Sequence, residues 1–278
     1  MSMKGLLGQL IQFQELCFAQ QEREAAGSKL GLREIQESRE RLLGELPREW
    51  VRIVERLSGG GQPAVVPATE GFCSFCRIQL PMLMYQEVRK RARIHQCPCC
   101  ARILFQPDAK APPPSSHPSR PGRGGLARFS SRSLMIPRLE AGARDGALGE
   151  LVGALAREGW IAEPESVLQA AVAREELVST AVEFGLAFPH VRGVEGGGLV
   201  MALGARKKGV AFGAPDGRHT RIVFFSVIPQ AASSFYLRIM AGLVRIFRQE
   251  EARMRLLACE ESEPLWEALL DLTQDLVP

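Results

Sequence analysis

Arg174-Glu-Glu-Leu-Val-Ser-Thr-Ala-Val-Glu-Phe-Gly-Leu-Ala-Phe-Pro-His190 is the stretch on which the reading of this chain turns. A helix-like segment opening on an arginine is followed by two hydroxyls, a glycine, a short apolar run of strand character, and a proline that fixes the backbone just ahead of a histidine. The pattern predicts an imidazole presented at the end of a strand. Outward from it, from Leu126 onward, strand-like and helix-like segments alternate. Leu134–Leu139 reads as a strand, Asp145–Glu158 as a helix closed by Gly159, and Glu165–Ala173 and Arg174–Ala181 as helical. Leu199–Leu203 and Ile222–Ile228 are almost wholly apolar, which suits central strands covered on both faces, and amphipathic helices are expected over Phe235–Phe247 and Glu251–Leu276. The alternation predicts an α/β layered domain.

Imidazole suits reversible phosphoryl transfer: much of it is unprotonated near neutral pH, and its nitrogen both attacks phosphorus and leaves again readily. Such transfer asks the protein for position and positive charge, because charge spreads over the equatorial oxygens in the transition state. Arg174 can offer a planar fork of donors, and Ser179 and Thr180 neutral hydrogen bonds. Glycines 193 and 196 to 198 lack the strand, spacing and trailing lysine of a nucleotide phosphate loop, which fits transfer between histidines without ATP.

The segments Ala170-Ala-Val-Ala-Arg-Glu-Glu, Ser179-Thr180, Gly185-Leu-Ala-Phe-Pro-His190, Val210-Ala-Phe-Gly, Asp216-Gly217 and Val223-Phe-Phe-Ser-Val-Ile-Pro229 together resemble the fructose, mannitol and nitrogen-regulatory class of enzyme IIA domains of the bacterial phosphotransferase system. The resemblance runs from about Leu126 to the C terminus. It implies a type-2 enzyme IIA fold, a mixed sheet flanked by helices. It also implies a phosphotransferase component with His190 phosphorylated and Arg174 beside it, the phosphocarrier HPr as donor, and an enzyme IIB or a regulatory protein as acceptor. In one place the chain departs from the family, which commonly has a second histidine followed by leucine at the helix after Pro229. Here Tyr236-Leu237 stands there. Tyr236 joins Ser179 and Thr180 as a phosphate-stabilising candidate, able to donate a hydrogen bond but not to carry an imidazolium's charge.

Five of the seven cysteines fall between Cys73 and Cys100. Cys73-Ser-Phe-Cys76 and Cys97-Pro-Cys-Cys100 are two C-x-x-C pairs separated by 20 residues, each able to place two thiolates on one metal from a tight turn. Cys73, Cys76, Cys97 and Cys100 are therefore expected to hold a structural zinc, with four sulfurs leaving no water position. Cys99 is a spare thiol. Strands at Pro63–Ala68 and Ile103–Phe105 lead into and out of the cluster, on a β element expected to be too small for a core of its own. Gly71-Phe-Cys-Ser-Phe-Cys, Leu80-Pro81, Arg93-Ile-His-Gln-Cys-Pro-Cys-Cys and Arg102-Ile-Leu-Phe resemble C4-type zinc ribbons carrying an N-terminal coiled coil, which implies an interaction module with nucleic acid among its partners. The basic run Val88–Arg93 has no interleaved aromatic residues for base stacking and reads as a solvated ribbon loop, and Arg206-Lys207-Lys208 reads as a solvated turn.

Apolar residues at helical spacing over 3–57, broken at Gly27-Ser28, Gly31 and Pro47, predict a helical hairpin or short coiled coil, a surface that allows a homodimer. The expected boundaries are 1–58 for this hairpin, 63–106 for the ribbon, 107–125 for an extended Pro/Gly-rich linker and 126–278 for the enzyme IIA-like domain. A net charge of +4, from 35 basic and 31 acidic residues, does not itself call for nucleic acid or membrane. No apolar run reaches the ~20 residues of a membrane-spanning helix, and a cytoplasmic location is expected. The function these readings favour is an enzyme IIA-like phosphocarrier of regulatory type. The alternative is a non-catalytic zinc-ribbon scaffold that keeps the enzyme IIA fold as a docking surface.

Overall fold

The computed structural model describes residues 3–107, 124–194, 198–229 and 232–276. They form two compact units, one of Met1–Gln21 with Leu32–Ala111, the other of Glu22–Gly31 with Pro112–Pro278. Most of the expected linker, residues 108–123, lies outside the described residues.

The first unit starts with α1 (Met3–Ala26), whose residues through Gln21 belong to it, followed by α2 (Leu32–Glu45) and α3 (Arg48–Leu57). Pro47 separates α2 from α3 as expected, because proline can stand just ahead of a helix but not within one. Leu10, Phe13, Ile35 and Val54 are buried, and the Gln14 side chain accepts from the backbone N–H groups of Ala64 and Val65, both at 2.6 Å. Next come β1 (Val65–Thr69), β2 (Phe72–Cys73), α4 (Met82–Arg89), β3 (His95–Gln96) and β4 (Ile103–Phe105), in a small sheet of order β2-β1-β4-β3. Two expectations need correction here. The first two residues of the basic run Val88–Arg93 belong to α4 rather than to a loop, since Pro81 opens a run of helix-forming residues that is capped at Lys90. The β element also has a small core, Val66, Ala68, Leu80, Val88 and Leu104, completed by Cys73 and Cys97 themselves.

The second unit contains β5 (Met135–Ile136), α5 (Arg144–Arg157), α6 (Pro164–Leu177), β6 (Ala181–Val182), β7 (Leu186–Ala187), β8 (His190–Val194), β9 (Val200–Val210), β10 (Thr220–Pro229), α7 (Ser233–Phe247), α8 (Glu250–Ala258) and α9 (Ser262–Leu272). It is the mixed α/β fold expected. β10 runs antiparallel to β9 and parallel to β7 and β8, β5 is parallel to β9, and β6 closes the other edge. The centre of β10 and the first six residues of β9 are buried, so the sheet is covered on both faces.

Four segment boundaries differ from the sequence reading. The first strand is only Met135–Ile136, because Pro137 has no N–H to extend the ladder. Arg174 lies in the last turn of α6 rather than at the start of a new helix; Val178 is extended, and the Arg174 guanidinium donates to its carbonyl at 2.9 Å. Arg206-Lys207-Lys208 is not a turn but the bulge of β9, where the register slips from Ala205 opposite Ile222 to Val210 opposite Thr220. Glu251–Leu276 contains two helices, α8 and α9.

Candidate functional site

β7 and β8 are consecutive pieces of one line of chain along β10, interrupted at Phe188-Pro189. Proline supplies no ladder hydrogen bond, yet its carbonyl accepts from Ser226 N–H at 3.0 Å, so the interruption is held in register. His190 follows immediately, opposite Ser226, and is 1% exposed. The ring of Phe188 stacks on Phe224 with centroids 5.3 Å apart, fixing the carbonyl that faces back to the imidazole.

That carbonyl lies 3.0 Å from His190 Nδ1. A carbonyl only accepts, so Nδ1 carries a proton and Nε2 is the nitrogen whose lone pair is available in the neutral ring. Tyr236 approaches from the Nδ1 side: its hydroxyl donates to the Phe188 carbonyl at 3.3 Å and lies 3.4 Å from Nδ1. Burial, then the nearby Glu22 carboxylate, pushes the Tyr236 phenol far above its ordinary range, so it stays neutral.

Nε2 faces charge. Glu22, in the last two turns of α1 and within the same compact unit, sets Oε1 3.2 Å from His190 Nε2 and 2.6 Å from Arg192 Nη2, and Oε2 3.3 Å from Arg174 Nη2. Arg192 Nε is 3.4 Å from Nε2. Burial alone would raise the Glu22 carboxyl, but the imidazolium form of His190, with Arg192 and Arg174, outweighs it and holds the group well below the usual carboxylate range. Glu175, beside Arg174, is buried and shifted upward by that burial, although it accepts the Thr180 N–H at 2.9 Å.

Of the residues singled out from sequence, His190, Arg174 and Tyr236 are brought together. Ser179 is turned away: its hydroxyl donates to the Phe212 carbonyl at 3.1 Å and accepts from Ala181 N–H at 3.2 Å, shaping the loop ahead of β6. The Thr180 hydroxyl is buried beside the Glu175 carboxyl, which also accepts the Thr180 N–H. Sequence reasoning missed Arg192 and Glu22. Arg192 stands two residues past His190, on the same side of an extended strand, and that spacing was a usable signal. Glu22 had none, being one glutamate among several on the polar side of an amphipathic helix.

In the first unit the Sγ atoms of Cys73, Cys76, Cys97 and Cys100 all lie within 4.8 Å of one another, with Cys73–Cys100 at 3.7 Å and Cys76–Cys97 at 3.5 Å. Four thiolates at a tetrahedral zinc–sulfur distance would be roughly 3.8 Å apart, so the set fits one such ion. Cys76 is lowered to about 7: burial opposes the shift, but a backbone hydrogen bond at Ile78 and the neighbouring thiols favour the thiolate. Cys99 is exposed and outside the four.

A mixed sheet under helices, with a buried histidine joined to two guanidinium groups through one carboxylate, defines an α/β domain built around a buried imidazole. Residues 129–271, just over half of the chain, match the family described as phosphoenolpyruvate-dependent sugar phosphotransferase system, EIIA 2, and the chain belongs to that family. It is 24% identical over 131 residues to a fructose-specific EIIA component of Haloferax volcanii, covering 47% of this chain and 85% of that protein. It is 25% identical over 135 residues to a nitrogen regulatory protein of Bradyrhizobium diazoefficiens, covering 49% and 88%. Among solved structures, the nitrogen regulatory protein IIA-Ntr of Neisseria meningitidis aligns at 26% identity and a TM-score of 0.47, over 51% of this chain and 96% of that one. The matched residues exclude the cysteine cluster. No helix among the described residues is long and apolar enough to cross a membrane.

Proposed function

We propose that the C-terminal domain is a phosphohistidine carrier that accepts a phosphoryl group from HPr on Nε2 of His190. The observation that carries this reading is the setting of the imidazole: its Nδ1 proton is committed to a fixed carbonyl, and its Nε2 faces Arg192 and the carboxylate that Arg192 and Arg174 both hold. In the transfer, the Nε2 lone pair forms a bond to phosphorus as the phosphorus–nitrogen bond of the donor phosphohistidine breaks. That bond's electron pair returns to the donor imidazole. Arg174 and Arg192 take up the charge on the equatorial oxygens, and Thr180 is the hydroxyl available to add a neutral hydrogen bond. Ser179 acts through the loop rather than on the phosphoryl group. Tyr236 holds the Nδ1 side of the ring. Onward transfer goes to an enzyme IIB or to a regulatory target, and the neutral tyrosine in place of a second histidine favours the regulatory role.

The domain partition read from sequence is kept in this proposal, with residues 1–58 and 63–106 as a helical and zinc-ribbon module, 107–125 as linker, and the carrier domain from 126. Cys73, Cys76, Cys97 and Cys100 would hold the zinc, which, with four sulfurs, is structural. The module's partners, a nucleic acid or a second copy of the chain, belong to the same proposal, as does a cytoplasmic location.

A second reading, a phosphate-independent scaffold that docks partners on the enzyme IIA fold, is favoured by one observation, the burial of His190 beneath Glu22. One experiment separates the two. Purified full-length protein and His190→Ala are incubated with phosphoenolpyruvate, enzyme I and HPr, and the intact mass is measured before and after acid. A single acid-labile phosphate on the wild type alone supports the carrier. No adduct on folded wild type or on folded Glu22→Gln, in which the carboxylate over Nε2 is neutralised, sinks it in favour of the scaffold.

A further inference from the structure

The Glu22 carboxylate stands where a phosphoryl group bound for His190 would have to stand. Phosphorus must bond to Nε2, and Oε1 of Glu22 is already at contact distance from that nitrogen, at 3.2 Å. The phosphoryl oxygens need the guanidinium groups of Arg174 and Arg192, and Glu22 holds both. A buried carboxylate is tolerated in this position only because the site's cations surround it.

The grip does not rest on one side chain. The guanidinium of the adjacent Arg23 donates to the carbonyl of Ala181 at 2.5 Å and to that of Ser179, the loop that leads into the histidine strand. Past it the helix ends in a Schellman turn: Gly27 takes a φ of +62°, Ser28 N–H donates to Arg23 carbonyl at 2.9 Å, and Gly27 N–H donates to Glu24 carbonyl at 3.0 Å. Ser28 and Lys29 then engage the Glu183 carboxylate, Lys29 through its backbone N–H at 3.2 Å. Residues 22–31 therefore dock on the domain at three successive points, with the carboxylate at the centre of the site.

We propose that this segment is an autoinhibitory plug, with Glu22 as a built-in substitute for the phosphoryl group. Resting on the carrier reading above, the proposal makes docking of 22–31 and phosphorylation of His190 mutually exclusive. A phosphoryl group of charge about −2 would meet the Glu22 carboxylate in a space that supplies cations for only one of them. By linkage, whatever draws residues 22–31 away exposes Nε2, and a phosphoryl group on Nε2 sets 22–31 free. The phosphorylation state of the domain would thus be written into the end of the first helix.

The test measures exposure of Nε2 by a chemistry that needs no phosphotransferase partner. Full-length wild type, Glu22→Gln and Arg23→Ala are treated with diethyl pyrocarbonate, and carbethoxylation is followed peptide by peptide, with His95 and His219 as internal controls. Phosphorylation from phospho-HPr is timed on the same samples. The plug predicts that His190 in the wild type reacts at least tenfold more slowly than in either variant, while the control histidines keep their rates. Unchanged His190 reactivity in the variants that fold overturns the plug, whatever the phosphorylation result. Increased reactivity with no phosphate accepted by any variant leaves the plug in place and overturns the carrier reading. Arg23→Ala removes an anchor outside the site, so if Glu22→Gln fails to fold, Arg23→Ala alone decides by the same criterion.

Discussion

Glu22 meets His190 Nε2 through the same carboxylate that bridges Arg192 and Arg174, so a single anion organises an imidazole and both cations around one point. The site thus already holds one anion among its cations, and its parts can be tested one at a time.

Arg192 is expected to matter as much as the arginine recognised from sequence. Removing one preorganised donor from a charge-stabilising site costs about 10²-fold or more. Arg192→Ala should therefore slow phosphate acceptance from phospho-HPr by about that factor. Arg192→Lys should recover only part of it, because an ammonium has no fork to reach Nε2 and the anion together. Rapid-quench transfer rates decide the point, and an Arg192→Ala rate within about twofold of wild type would remove Arg192 from the mechanism.

Tyr236 should behave differently. Its hydroxyl shares the Phe188 carbonyl with Nδ1, which keeps its own contact at 3.0 Å when the hydroxyl is gone. Tyr236→Phe is expected to cost at most about 1 kcal/mol in denaturant unfolding and to change phosphate acceptance by no more than about threefold. A loss of tenfold or more would put the hydroxyl on the reacting group instead.

The cysteine cluster gives a stoichiometry. Purified protein should carry about one zinc per chain by atomic absorption, Cys73→Ser should carry almost none, and Cys99→Ser should keep it. Because Cys73 and Cys97 are also part of the small core packed on Val66 and Leu104, loss of the metal should lower the melting temperature of the first unit. Full zinc content in Cys73→Ser would mean that the four thiols are not the ligands.

Sequence and structure part company in an instructive way. The α/β alternation, β10 and the His190 segment were legible because they rest on local signals: apolar runs, a glycine, a proline before a histidine. The bulge at Arg206–Gly209 was not, since a basic triplet inside a strand looks like a turn until the register with Thr220 and Ile222 is known. Arg174 was legible as a site residue but not as a helix end, because the bond that closes α6 is made by that residue's own side chain to Val178. Glu22 was illegible for a deeper reason. A glutamate on a polar helix face is normally solvated, and only the arrival of His190, Arg174 and Arg192 from distant parts of the chain gives it a different role.

The acid sensitivity of the fold should carry the mark of that role. In the folded protein the Glu22 carboxyl is held well below the ordinary carboxylate range of about 4.3, because its cationic neighbours outweigh its burial. A carboxyl with a depressed folded-state value contributes stability that is complete above its unfolded value and is lost as the pH falls toward the folded one. Wild type should therefore exceed Glu22→Gln in unfolding free energy by up to about 3 kcal/mol at pH 7, since the amide leaves two buried guanidinium groups without their anion. That difference should hold down to about pH 5 and shrink progressively below it. Glu175, raised by burial, works in the opposite direction in both proteins and cancels in the comparison. Urea unfolding of the two proteins between pH 7 and pH 3 measures the effect. A difference that stayed constant with pH would mean that Glu22 is not ionised in its buried position, and the network around His190 would have to be redrawn with a neutral acid at its centre.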